Sequence, residues 1–261
     1  MDAILILKLI MAPILILGAS FASSRWGHTI SGWLVSLPLN SAPVIFLLAL
    51  EQGPSFASSS AEGIILGLAS LSGFSLAYSW LSLRLGLHCL YSMILGWTVF
   101  FFFSFLLENV SSNLILSFIG VTVWLLIVER LFPRAKNQFT VDSGSFGRRE
   151  LVIRIVAATS LIILITTYAP LLGPKLSGLL TPFPIYTSVL AWSIHHRQGA
   201  GSSVKFVHGA TFGLFTSAIF FLVVGSLITS WGVGVSYITA ISLSIITHGF
   251  LLRQLTLQSS T

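Results

Sequence analysis

The chain has 261 residues, 55% apolar and 8% charged, with a net charge of +6 and a mean hydropathy of +0.96. A soluble domain carries about 25% charged residues, so the composition excludes one and points to an integral membrane protein that has the lipid bilayer as its first partner. At about 20 residues per span the length holds roughly eight to ten helices and no extramembrane domain, and the basic balance reads as loop charge facing the cytoplasm, with no nucleic-acid partner.

Taken in chain order, apolar periodicity predicts helices over 3–22, 30–50, 62–83, 88–107, 112–132, 150–169, 176–196, 205–228 and 233–254. The first has neither a basic leader nor a small-residue cleavage site and reads as a retained helix; it carries Lys8. The second contains Pro38, followed by Asn40 and Ser41. The third bears Gly63 and Gly67, one turn apart. The fourth starts beside Cys89, whose solitude excludes an intrachain disulfide and a Cys-based metal cluster. After the fifth comes the longest polar stretch, 133–149, a linker. The sixth holds Arg154, the seventh Pro184 with Tyr186 and Thr187, the eighth Gly209 and Gly213, and the ninth His248.

A shift of 146 positions lays residues 27–86 on 173–232 without a gap, and fourteen of the sixty positions are then identical. They include Gly27/Gly173, Ser31/Ser177, Gly32/Gly178, Leu34/Leu180, Pro38/Pro184, Gln52/Gln198, Gly53/Gly199, Gly63/Gly209, Gly67/Gly213 and Gly86/Gly232. This ladder of coincident glycines and prolines reads as an internal duplication. The first four helices pair with the last four and the fifth has no counterpart, a 4+1+4 plan. The units are 1–110, the first transmembrane repeat; 111–149, the unpaired helix and cytoplasmic linker; and 150–261, the second repeat.

With the N-terminus outside and the C-terminus in the cytoplasm, eleven of the thirteen Lys and Arg residues fall on the inner side and only Lys8 and Lys175 outside. Five crossings then precede the second copy. Five is odd, so the copies are inverted relative to each other, the plan of many secondary transporters, in which one unit in two orientations gives states open to either side. The expected fold is therefore an all-α membrane protein of about nine spans in two inverted-topology repeats.

In each copy the second helix is broken by proline, which frees the carbonyls of Leu34 and Leu180. Those carbonyls with Asn40, Ser41, Tyr186 and Thr187 would line a substrate site between the repeats; the alternative is a kink that neighbouring Ser and Thr residues satisfy locally. The Gly63/Gly67 and Gly209/Gly213 pairs read as helix-packing seams. Lys8 and Arg154 occupy equivalent positions near helix ends, where snorkelling to the headgroups is the simpler expectation and partnership with an anionic substrate the sharper one. His248, inside the last span, could relay a proton or make an interhelical hydrogen bond. No phosphate loop, His-Glu-x-x-His, Gly-x-Ser-x-Gly or Asp/His cluster occurs, so no enzyme, catalytic residue, metal or cofactor is expected.

The string Ser-Gly-Leu-Leu-Thr-Pro-Phe-Pro-Ile-Tyr-Thr at 177–187, with Phe-Gly-Leu-Phe-Thr-Ser at 212–217, resembles the small GlpM-type bacterial membrane proteins. The resemblance implies a single-unit relative fused here in two copies and a location in the bacterial inner membrane. The duplicated plan also resembles, in architecture alone, the drug/metabolite transporter superfamily. The expected function is a secondary transporter or flippase-like carrier of an unidentified small or lipid-like substrate. The rival is a non-transporting scaffold or accessory subunit of an envelope-polymer or lipid pathway.

Overall fold

A computed structural model describes residues 4–11, 13–17, 38, 41–110, 113–133 and 148–258, with backbone alone at 148–149, 248 and 250–258. Among the described residues the protein is all helix and turn, with no strand. In chain order the helices are α1 (Ile4–Leu17), α2 (Ser41–Gln52), α3 (Pro54–Leu83), α4 (Cys89–Glu108), α5 (Leu114–Leu131), α6 (Arg148–Leu180), α7 (Ile185–Gln198), α8 (Ala200–Phe212) and α9 (Leu214–Gln258). Five helical stretches are long and apolar enough to cross a membrane: Pro54–Leu83, Cys89–Glu108, Leu114–Leu131, Glu150–Gln198 and Ala200–Thr247. The chain is a membrane protein by this criterion.

The central element is α3. It has Pro54 in its first turn, where a missing N–H costs no intrahelical bond. Its many Ser, Gly and Ala residues allow neighbours to close in from every side, and α4, α5, α6, α8 and α9 all pack on it. Apolar periodicity sets the expected start of this helix at 62, past the polar run that holds Ser55, Ser58, Ser59 and Ser60. The structure runs it back to Pro54, with Ser58 donating to the Gly225 carbonyl at 2.6 Å. Glu62 lies inside this helix and accepts from Ser117 of α5 at 3.3 Å.

The outward faces of α4 and α5 are apolar: Phe101, Phe102, Phe105, Ile115, Leu116, Ile119 and Leu126 are all exposed. A row of this kind on two adjacent helices is what a lipid-facing surface requires.

Several of the helix junctions are at glycines. The positive-φ residues among those described are Gly53 (φ 92°), Gly86 (62°), Gly173 (75°), Gly199 (85°) and Gly232 (74°), a region that side chains with a Cβ rarely enter. Gly173 and Gly232 lie inside α6 and α9, each of which is two helices joined across a kink. Here the expected boundaries shift. The seventh span, predicted as one helix over 176–196, is two segments separated by a turn at 181–184, and the eighth begins at Ala200, not 205.

The direction of packing follows from the contacts of α3. Near its start Ser58 meets Gly225, and near its end Tyr78 meets Ser203 at 2.7 Å. As α3 advances, its partner residue number falls, so α3 runs antiparallel to the stretch 200–231. The Gly53 and Gly199 turns consequently lie at opposite ends of α3, whose 30 residues span about 45 Å.

Candidate functional site

The polar interior is built where α6 breaks into α7. Pro182 and Pro184 stop the helix, Thr181 and Phe183 form the turn, and α7 restarts when the Pro184 carbonyl accepts from Ser188 N at 2.9 Å. α2 starts with the equivalent bond: the Pro38 carbonyl accepts from Ala42 N at 2.8 Å. The Leu180 carbonyl, expected to be freed for a ligand, accepts from Phe183 N at 3.1 Å, and the hydroxyls of Ser177 and Thr181 turn back to the carbonyls of Gly173 and Ser177, each at 2.7 Å. Local back-bonding thus absorbs this part of the break. Leu34 and Asn40 lie outside the described residues.

Ser41 is buried at the start of α2, whereas Tyr186 and Thr187 are half-buried in the first turn of α7. Next to them Ser188 accepts from the Trp97 indole of α4 at 3.0 Å. Tyr186 meets a partner that sequence had placed elsewhere: the Arg154 guanidinium carbon stands 5.6 Å from its ring centre, within cation–π range.

Both expected snorkelling cations are buried. Lys8 has 7% of its surface exposed and Arg154 3%. Each has a carboxylate, which is what makes burial tolerable. Lys8 pairs with Glu51 of α2 at 2.6 Å, and Arg154 pairs with Glu150, one turn earlier on α6. The other Glu150 oxygen accepts from Ser193 at 2.8 Å and lies 3.7 Å from Arg197, both on α7. Glu51, Glu150 and Arg197 were not among the expected site residues. The shift of 146 would have found two of the three, since it carries Lys8 to Arg154 and Glu51 to Arg197.

A second polar cluster joins four helices around Tyr78. Its hydroxyl bonds Ser203 Oγ at 2.7 Å and His195 Nδ1 at 3.0 Å and stands 3.7 Å from Cys89 Sγ, while Ser203 donates to the Ala191 carbonyl at 2.8 Å. Nothing in the sequence brings residues 78, 89, 195 and 203 together, because the contact depends on how α3 crosses α7 and α8. His208, inside α8, pairs with Glu129 of α5 at 2.7 Å. The His248 side chain is outside the described residues. Among the described residues no group of three or more His, Cys, Asp or Glu side chains is arranged to hold a metal ion.

The glycine seam is asymmetric. A Cβ on Gly63 would meet the Lys175 carbonyl oxygen and come within 3.1 Å of Gly178 Cα, and one on Gly67 would stand 2.6 Å from both the Leu179 oxygen and Pro182 Cγ. The Gly-x-x-x-Gly of α3 therefore seats Lys175, Gly178 and Leu179 of α6, backbone against backbone. Around Gly209 no described atom lies within 4 Å of a Cβ, so a seam there is not formed among the described residues. Gly213 forms the junction between α8 and α9, its N–H bonding the Gly209 carbonyl at 3.2 Å.

No protein-family model, curated protein or solved structure matches the chain.

Proposed function

We propose that the protein is a small secondary transporter or flippase-like carrier, built from two inverted repeats, with nine crossings, the N-terminus outside and the C-terminus in the cytoplasm. The observation that carries this reading is the antiparallel course of α3 and its counterpart 200–231. One unit present twice in opposite directions is the construction that lets a carrier reach two related states.

Equivalent positions do equivalent jobs, which supports the repeat beyond sequence identity. Gly53 and Gly199 share positive φ, as do Gly86 and Gly232. Ala57 N bonds the Gly53 carbonyl at 3.2 Å and Ser203 N the Gly199 carbonyl at 3.3 Å, again one shift apart. The two halves also exchange aromatic donors at one repeat position: Tyr237 donates to the Ala42 carbonyl at 2.8 Å, and Trp97 donates to Ser188. Helix four of each copy thus holds helix two of the other.

Loop charge favours the same orientation. Arg84 and Arg197 flank the Gly199 end of α3, and Arg130 joins them because the Leu131 carbonyl accepts from Trp80 at 3.0 Å. Lys175 reaches the Val110 carbonyl at the other end, and Lys8 and Glu51 are there too. A cation-rich Gly199 end is the cytoplasmic one.

The site of this carrier lies between the breaks at Pro38 and Pro184, where Ser41, Tyr186 and Thr187 begin their helices. Alternating access supplies the test. In a Cys89→Ser background, cysteine at Ser41 or at Thr187 should react with a membrane-impermeant maleimide added from either face in turn, because each state opens the site to one side. A protein that reacts from one face only, or from neither while folded, is a static scaffold.

A further inference from the structure

We propose that the cytoplasmic end of α6 and α7 carries a binding site for a singly charged oxyanion, a phosphoryl or carboxylate group, centred on Arg197 with the Glu150–Arg154 pair behind it. The proposal rests on the repeat and the orientation proposed above but not on transport, since binding alone is read. Its basis is a charge imbalance between repeat-equivalent positions. In the first copy one cation, Lys8, faces one anion, Glu51, and the pair is neutral. In the second copy the position of Lys8 is Arg154 and that of Glu51 is Arg197, so both are cations. Glu150, at the position of Ile4, supplies the single carboxylate between them.

Two guanidinium groups against one carboxylate leave one positive charge over among these residues. Its location is legible from the distances. Glu150 Oε1 is taken by Arg154, which is 3% exposed, and Oε2 accepts from Ser193 at 2.8 Å. Arg197 stands 3.7 Å from Oε2, beyond hydrogen-bonding range, with its side chain 52% exposed. The surplus therefore resides on Arg197, whose planar fork of N–H donors matches the geometry of a phosphate or carboxylate. Arg197 shares Glu150 only through this longer ion pair, because the buried carboxylate is held on Arg154 and Ser193. Arg197 lies in the last turn of α7, where the helix C-terminus adds only a partial negative charge, about half a unit. An oxyanion arriving at this end of the bundle would complete the balance that the first copy achieves internally.

Two sources share this chemistry, an anionic lipid headgroup and a soluble anion. The test uses full-length protein in a neutral detergent and follows thermal unfolding on addition of phosphatidylglycerol, phosphatidylcholine or inorganic phosphate, with stabilisation read as binding. The expected result is stabilisation by phosphatidylglycerol at concentrations on the order of tenfold below those needed for phosphatidylcholine. Arg197→Gln should erase that preference, and Arg197→Lys, which keeps the charge, should retain part of it. If inorganic phosphate stabilises the protein and competes with phosphatidylglycerol, the site takes soluble oxyanions as well. Stabilisation that is equal for the two lipids without any response to phosphate, or a preference that survives in Arg197→Gln, would overturn the proposal.

Discussion

Alanine at Gly63 or at Gly178 should destabilise the folded protein by about 3 kcal/mol or more, the upper part of the range for overpacking, because the new methyl meets backbone and not a side chain that can turn away. At Gly63 it meets the Lys175 carbonyl, and at Gly178 the Ser60 carbonyl, with Ile64 N at 2.8 Å. The two substitutions attack one approach between α3 and α6. The double variant should therefore lose less than the sum of the singles. Gly120, on α5, provides the control: no described atom lies within 4 Å of a Cβ there, and alanine should be neutral or stabilise the helix by up to about 1 kcal/mol. Unfolding in a denaturing detergent titration reads all four. A Gly63→Ala protein as stable as Gly120→Ala would mean that α3 and α6 are not in backbone contact.

Arg154→Met should cost about 3–5 kcal/mol, since it leaves the Glu150 carboxylate buried without its buried cation. Arg197→Gln, at a half-exposed group 3.7 Å from the same carboxylate, should cost about 1 kcal/mol or less. Adding Glu150→Gln to Arg154→Met should recover part of the loss, because a neutral amide tolerates burial better than a lone carboxylate. This series separates a buried ion pair from a snorkelling arginine. If Arg154 reached the headgroups, Arg154→Met and Arg197→Gln would be equally mild and Glu150→Gln would rescue nothing.

The helical class and most of the helix positions were legible in the sequence because lipid-facing and buried helices are both apolar, and the spans at 88–107 and 112–132 stand within two residues of α4 and α5. The ladder of coincident glycines was legible in the sequence, and it falls on the turns. The five positive-φ glycines among the described residues all belong to identical pairs under the shift, since a turn that needs φ above zero tolerates little else. The start of α3 was not legible: a run of serines reads as loop on propensity, and only its burial between neighbours makes it helix.

Charge placement was misread for a related reason. Distance from a helix end suggested that Lys8 and Arg154 could snorkel, yet what decides is whether another helix brings a carboxylate, and Glu51 of α2 does so for Lys8. Proline marked the place of the α6–α7 break but not its consequence, because the Leu180 carbonyl found a partner three residues away. The Tyr78 cluster had no sequence signal, as it draws single residues from four helices.

The central claim is that the two copies face opposite ways across the membrane, and Gln52 and Gln198 test it most directly. They are the same residue at the same repeat position, each closing a helix before a positive-φ glycine. With Cys89 replaced by serine, cysteine at Gln52 should be labelled by an impermeant maleimide only from outside the cell, and cysteine at Gln198 only from the cytoplasmic face of inverted vesicles. Labelling of both positions from the same face would contradict the inverted repeat and, with it, the carrier.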